Sequence, residues 1–264
     1  MSDTSLDRAG GRRRPVRVCV AGVTGWVGGP VADAVKAAGD LELVAGVARS
    51  DAASFSSVAE ALDAVPADVF VDYTSATAVK GNVLAAIERG VGVVVGSSGL
   101  SAADYAEIDA RARERQIGVI AAGNFSVTAA LLVRFAAEAA RHIEAWEVID
   151  YASATKPDAP SGTSRELADR LEEVRAPVLR VPIHEVHGTR EARGASVAGT
   201  QVHSVRLPSF SVSTEALFAA DGERLSIRHD AGESAAPYIA GTLIAIRAVP
   251  SRVGLTRGLD QLLS

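Results

Sequence analysis

Cysteine is nearly absent. Cys19 is the only one in 264 residues, which excludes an intramolecular disulfide framework, and its place in an apolar strand-like run reads as core. Long hydrophobic runs are missing as well. Gly22, Gly25, Gly28 and Gly29 interrupt the first apolar stretch, so it falls short of a membrane-spanning helix, and no secretory leader pattern precedes it. A soluble cytoplasmic protein is the expectation. Positive charge is not in excess: 27 Lys and Arg against 32 Asp and Glu leave a net charge of −5, which gives no overall basic field for nucleic acid. The single basic run, Arg12 to Arg14, falls in a polar N-terminal tail expected to be disordered. Repeats, heptads and low-complexity segments are also lacking.

What the chain does have is alternation. VRVCVAG (16–22) reads as a buried strand, and GGPVADAVKAAG follows as a helix with Pro30 near its first turn. LELVAGVA (41–48), DVFVDYT (68–74), VGVVVGSSG (91–99) and IGVIAAGN (117–124) repeat the strand pattern, with the helical SSVAEALDAV, TAVKGNVLAAIERG and SAADYAEIDARARERQ between them. Such alternation predicts a parallel sheet with right-handed crossovers, covered on both faces. After Asn124 the pattern changes. A long helix, SVTAALLVRFAAEAARHI, leads to the strand AWEVIDYA, and SRELADRLEEV reads as another helix. VLRVPIHEVHG (178–188), TQVHSVRL and EALFAADGERLSIRHD read as strands, the last with Asp221-Gly222 as a hairpin turn. An apolar helix (235–249) and GLTRGLDQLL close the chain. With 48% hydrophobic and 22% charged residues, one or two globular domains with a sizeable core are expected.

Two stretches carry chemistry. AGVTGWVGG follows the first strand and opens the first helix, with Gly22, Gly25 and Gly28 spaced G-x-x-G-x-x-G. Glycine is needed where backbone turns tightly and approaches a pyrophosphate resting on the helix N-terminus. At the end of the second strand, where an NAD site usually places a carboxylate, stand Ala48, Arg49 and Ser50. An arginine there suits a 2′-phosphate, so NADPH is expected, with NADH possible. The second stretch is TKPDAPSGTS (155–164). Lys156 beside the N–H groups and hydroxyls of Ser161, Gly162 and Thr163, at a helix start, makes an anion site. The alternative is that Ser161 or Thr163 only caps the helix.

Together these segments resemble the 4-hydroxy-tetrahydrodipicolinate reductase (dihydrodipicolinate reductase) family, from about residue 16 to the C-terminus. The resemblance rests on VAGVTGWVG, VDYTSATAV, VVGSSGLS, AAGNFSV, KPDAPSGT and GERLSI. It implies an α/β fold: a Rossmann-type parallel-sheet domain, plus an α+β domain with a mixed or antiparallel sheet. The expected boundaries are a disordered tail at 1–15, a dinucleotide-binding domain at 16–126 with 238–264 packing back on it, and a substrate-binding and oligomerisation domain at 127–237. It further implies a homotetramer that reduces a cyclic dicarboxylate with NADH or NADPH. Cofactor contacts would be Gly22, Val23, Thr24, Gly25, Trp26 and Val27, the region of Arg49, then Gly96, Ser97 and Ser98, and finally Ala122, Gly123, Asn124 and Phe125. Lys156, Ser161, Gly162 and Thr163 would hold the substrate carboxylates.

The chain also departs from that family. Members carry a His-His pair four and three residues before the lysine, where this chain has Ala152 and Ser153. They carry a Gly-Glu-His step where this chain has Val212, Ser213 and Thr214, and an arginine where the glycine loop has Trp26. Lys156, or Ser153 relaying from water, remains as the proton source. His142 reads as a helix-end surface residue, and His184, His187, His203 and His229 as structural residues in strand-like segments. His184 and His187 with Glu185 would suggest a metal, but i and i+3 on a strand face opposite sides, so no metal is expected. Asp150, two residues before the altered pair, is placed to orient a neighbour. Three functions stay open: an NADPH-dependent reductase of the dihydrodipicolinate type, a same-fold oxidoreductase acting on another small carboxylate, and a non-catalytic dinucleotide-binding regulator. No nucleic acid or membrane partner is expected.

Overall fold

The computed structural model describes residues 14–49 and 53–263. Strands in the first half are Val16–Ala21 (β1), Leu41–Val47 (β2), Val69–Asp72 (β3), Gly92–Val95 (β4) and Gly118–Ala121 (β5). In the second half they are Ala145–Ala152 (β6), Ala195–Val197 (β7), Thr200–Arg206 (β8), Val212–Ala220 (β9), Glu223–Ala231 (β10) and Gly254–Arg257 (β11). The helices are Gly28–Ala37 (α1), Val58–Ala64 (α2), Val79–Glu88 (α3), Ala102–Glu114 (α4), Val127–His142 (α5), Gly162–Glu172 (α6) and Ala236–Ala248 (α7).

The first-half strands form a parallel sheet in the order β11-β5-β4-β3-β1-β2. Their residues alternate between two cores. Cys19, Phe70, Val93 and Val119 face α2, α3 and α4, while Val18, Val71, Val94 and Ile120 face α1 and α7. Burial on both faces is why these strands read as continuous apolar runs. The chain runs from β1 to β2 over one face and from β2 onward over the other, so the connection direction reverses beside β1. That reversal opens a crevice at the carboxyl ends of the strands.

The second sheet is mixed, in the order β10-β9-β6-β8-β7, with β6 and β8 parallel and the other pairs antiparallel. Only one face is covered by helix: Leu132, Val133 and Ala136 of α5 and Leu167 and Leu171 of α6 pack on Trp146, Val148, Val202 and Phe218. Alternate residues of β6 are buried accordingly. Asp221-Gly222 makes the β9–β10 hairpin, with Gly222 at φ +85. At the C-terminus β11 pairs with β5, and Ala245, Ile246 and Leu259 share the core of α1. None of the helices is long and apolar enough to cross a membrane, among the described residues.

One expectation is corrected. Residues 178–188 are not a strand but irregular chain with one 3₁₀ turn at Ile183–Glu185. Pro177 and Pro182 supply no N–H to a ladder, so an apolar run with good β formers does not pair there. His184 and His187 therefore lie in irregular chain, and the strand argument about their faces does not apply. Of the tail expected at 1–15, residues 1–13 lie outside the described residues, and Arg14 pairs with Asp68 at 2.7 and 3.0 Å.

Candidate active site

Four loops meet at the carboxyl ends of the first sheet. After β1, Gly22 takes φ +86, and a Cβ on it would stand 2.1 Å from the Tyr73 carbonyl oxygen. A Cβ on Gly28 would stand equally close, 2.1 Å, to the Gly22 oxygen. Only glycine therefore fits at positions 22 and 28 of the turn into α1. No side chain caps α1, and its first turn has no acid, so its N–H groups and positive dipole end are available to an anion. This cradle fits a dinucleotide pyrophosphate. Arg49 is exposed two residues beyond the end of β2.

Asp72 ends β3 fully buried and organises two loops at once. It accepts hydrogen bonds from the Thr74 N–H (3.0 Å), the Thr74 hydroxyl (2.8 Å), Asn82 (2.8 Å) and the Ser97 hydroxyl. Sequence reasoning missed it, although an acid closing a buried strand two residues before a threonine was the available sign. Ser97 therefore spends its hydroxyl on the scaffold, whereas Gly96 and Ser98 face the crevice. Gly96 is required because a Cβ there would lie 2.1 Å from the Tyr73 ring.

After β5 the chain turns to meet α6. A Cβ on Gly123 would stand 2.7 Å from the Gly162 oxygen, and the Asn124 amide donates to the Thr163 hydroxyl at 3.1 Å. The Gly123 N–H donates to the Glu166 carboxylate. Burial pushes the pKa of Glu166 up to about 7, and nearby Asp260 adds to the rise, against the Gly123 bond and the charges of Arg257 and Arg170.

The cap expected at Ser161 is formed. Its side chain accepts from the Ser164 N–H and caps α6, while its own N–H donates to Asp150 at 2.9 Å. Asp150 is fully buried and also accepts from Ser164 (3.1 Å), Ser204 (3.0 Å) and Arg206 (2.7 Å). Burial alone would raise its pKa, but the bonds from Ser161 and Arg206 outweigh that and hold it below the ordinary value. Asp150 thus fixes the start of α6. Lys156 stands beside that start, with its ammonium 2.8 Å from Asp158.

These parts enclose one cleft of about 170 Å³, the space of roughly six waters at ~30 Å³ each. Trp26, Val27, Gly96, Ser98 and the Ala122–Phe125 turn line one side. Lys156, Asp158, Ser161, Gly162 and Thr163 line the other, with Tyr73, Val212 and Tyr238 closing it. Gly22, Val23, Thr24, Gly25 and Arg49 lie on the adjoining loops rather than on its wall. Ser153 is not on the wall either; its hydroxyl pairs with Thr155 at 3.0 Å. Among the described residues no histidine lines the cleft, and His203 instead pairs with Glu147 at 2.7 Å. No cluster of three His, Cys, Asp or Glu that could hold a metal occurs among the described residues. A larger cavity, about 810 Å³, lies away from all four loops, around Trp146, Leu217 and Leu225, and shares no lining residue with the cleft.

Comparison with known proteins agrees with this construction. A family model described as "Dihydrodipicolinate reductase, N-terminus" matches residues 16–125, and "Dihydrodipicolinate reductase, C-terminus" matches 128–263. A 4-hydroxy-tetrahydrodipicolinate reductase of Nocardia farcinica is 41% identical over 251 residues, covering 94% of this chain and 98% of the relative. One from Cutibacterium acnes is 39% identical, again over 94% and 98%. A dipicolinate-bound dihydrodipicolinate reductase from Paenisporosarcina sp. TG-14 superposes with a TM-score of 0.78 at 28% identity, covering 94% of this chain and all of that one. With both halves matched and named relatives aligned along nearly its whole length, the chain belongs to the dihydrodipicolinate reductase family.

Proposed function

We propose that the chain is an NAD(P)H-dependent reductase of a cyclic imine or enamine carboxylate, in keeping with relatives named 4-hydroxy-tetrahydrodipicolinate reductase. One observation carries the reading: the glycine loop, the β4 and β5 loops and the lysine-bearing start of α6 line a single cleft. The glycine cradle and the uncapped α1 would hold the pyrophosphate, and the turns at Gly96–Ser98 and Ala122–Phe125 the nicotinamide end. When bound, the dinucleotide supplies the hydride. Arg49 supports NADPH over NADH, since no carboxylate at the end of β2 opposes a 2′-phosphate. Lys156 and the N–H groups of Gly162 and Thr163 hold and orient the substrate carboxylate, while Phe125, Tyr73 and Val212 exclude water around the ring. Protonation falls to Lys156 or to water, because Ser153 is held off the wall by Thr155.

The test is dinucleotide oxidation by the purified protein, with the lysine-pathway intermediate compared against a panel of cyclic imine carboxylates. Lys156→Ala should lose substrate affinity and turnover together, by on the order of 2–4 kcal/mol, with dinucleotide affinity unchanged. Wild-type kinetics in that variant would reduce the stretch to a helix cap. A domain division near residue 126, with 238–264 returning to the first domain, and a homo-oligomer complete the proposal. The outward face of the second sheet exposes Leu217 and Leu225, which a second copy would cover. A single-chain mass in light scattering would rule the oligomer out.

A further inference from the structure

The cleft does not end at Ser98. An adjoining cavity of about 360 Å³ shares Gly96, Ser98, Ala122, Gly123 and Gly162 with it. Helix α6 supplies one wall of that cavity. Gly162, Arg165, Glu166 and Asp169 line it, at the i, i+3, i+4, i+7 spacing of a single helical face. Three of the four charged side chains around the cavity are engaged with one another or with backbone. The Glu166 carboxylate takes the Gly123 N–H, and Asp169 pairs with Arg257 at 3.1 Å, whose guanidinium lies 4.6 Å over the Tyr105 ring. Arg165 is the exception. Its one ion pair among the described residues is with Asp158 at 3.8 Å, and the other oxygen of that carboxylate already takes Lys156 at 2.8 Å. Arg165 also stands in the opening turn of a helix with no acid there. A cation at the positive end of a helix dipole is disfavoured unless an anion offsets it, and Asp158 balances only one of the two charges beside it.

We propose that Arg165 is a further specificity-determining residue, which holds the second carboxylate of a dicarboxylate ligand. The first carboxylate lies against Lys156 and the N–H groups at the start of α6. The second reaches past Ser98 to the Arg165 guanidinium, whose planar fork matches a carboxylate. The reach is short, because Lys156 and Arg165 approach opposite oxygens of one side chain, Asp158. Their heads are therefore separated by little more than the span of a carboxylate and its two contacts. The Arg165 side chain is 47% exposed, so it can turn from Asp158 to a ligand without disturbing the core. A ligand with one carboxylate would satisfy Lys156 and leave Arg165 as it is. This deepens the reductase reading and rests on its assignment of the carboxylate site at Lys156.

Calorimetric titration of the full chain, saturated with NADPH, tests the proposal with two planar probes. Dipicolinate carries two carboxylates and picolinate one, and the weaker is read by its displacement of the stronger. Dipicolinate should bind at least about tenfold more tightly than picolinate. Arg165→Met keeps an unbranched side chain and removes the charge. It should cost dipicolinate about tenfold and picolinate no more than about twofold, with Arg165→Lys falling between wild type and Arg165→Met. NADPH affinity and melting temperature should match wild type in both variants. Unchanged dipicolinate affinity in Arg165→Met, or an equal loss for the two probes, overturns the anchor and leaves the Lys156 site standing. Equal affinities of the probes for wild type overturn it as well. If neither probe binds while NADPH does, the carboxylate site at Lys156 is wrong, and the reductase reading falls together with the proposal.

Discussion

At the scale of a single side chain, the proposed preference for NADPH rests on Arg49. It is exposed just past β2, on the side of the sheet where an adenosine ribose would lie if the pyrophosphate rests on α1. Guanidinium pairs with phosphate bidentately, and exposure to water keeps the gain modest. NADPH should therefore bind about tenfold more tightly than NADH, and Arg49→Glu should erase or invert that ratio in fluorescence titrations. Equal wild-type affinities would end the argument. Arg49, Lys156 and the glycines stand out in the sequence because each follows a local rule about phosphate, carboxylate or close backbone approach. Asp72, Asp150 and Glu166 were harder to see. Asp72 closes its strand, but its partners Asn82 and Ser97 come from two later segments. Asp150 draws on Ser161, Ser204 and Arg206, a set that only the folded second sheet brings together.

Among elements, the parallel strands were the most readable, because burial on both faces leaves an unbroken apolar run. The hairpin at Asp221-Gly222 was equally plain, since both turn residues favour the backbone that a two-residue turn requires. The turn between β7 and β8 was not. Ala198 and Gly199 form it with φ +46 and +74, and alanine gives no warning of a left-handed conformation. β7 is only three residues long, too short for its alternation to register. Residues 178–188 misled in the opposite direction: Val178, Val181 and Val186 looked like strand formers, while the prolines carried the deciding constraint. Helix α6 shows a signal with two simultaneous meanings. Ser161 caps the helix with its side chain, and the same N-terminus lies open to the cleft through Gly162 and Thr163. Cap and binding site were posed as alternatives, but the two are compatible, because the cap uses a side-chain oxygen and the proposed anion site would use backbone N–H groups.

At the scale of the molecule, the two sheets are coupled at the cleft through Glu166. It reaches from α6 to the Gly123 N–H on the β5 loop, close to Arg170 and Asp260 near the C-terminus. Arg170 ties that end to α6 at 3.2 Å from Asp260, and Arg257 adds a bond to Asp169 at 3.1 Å. Burial raises the Glu166 pKa from 4.5 to about 7, so between those values the folded chain holds a proton that the unfolded chain has released. Stability from this group is complete below the unfolded value and is lost as the pH rises through about 7, because across that window the unfolded state binds fewer protons than the folded one. Above that pH both states carry the carboxylate, and the folded one retains the cost of holding it half-buried beside Asp260. Glu166→Gln keeps an oxygen for the Gly123 N–H and removes the titration. The melting temperature of the variant, measured against wild type, should therefore rise as the buffer is changed from about pH 5 to about pH 8, values chosen to bracket the upper limb of the shift. A difference between the two proteins that stays constant across that range would show that Glu166 titrates normally, and that the seam between the sheets is not held by a protonated acid.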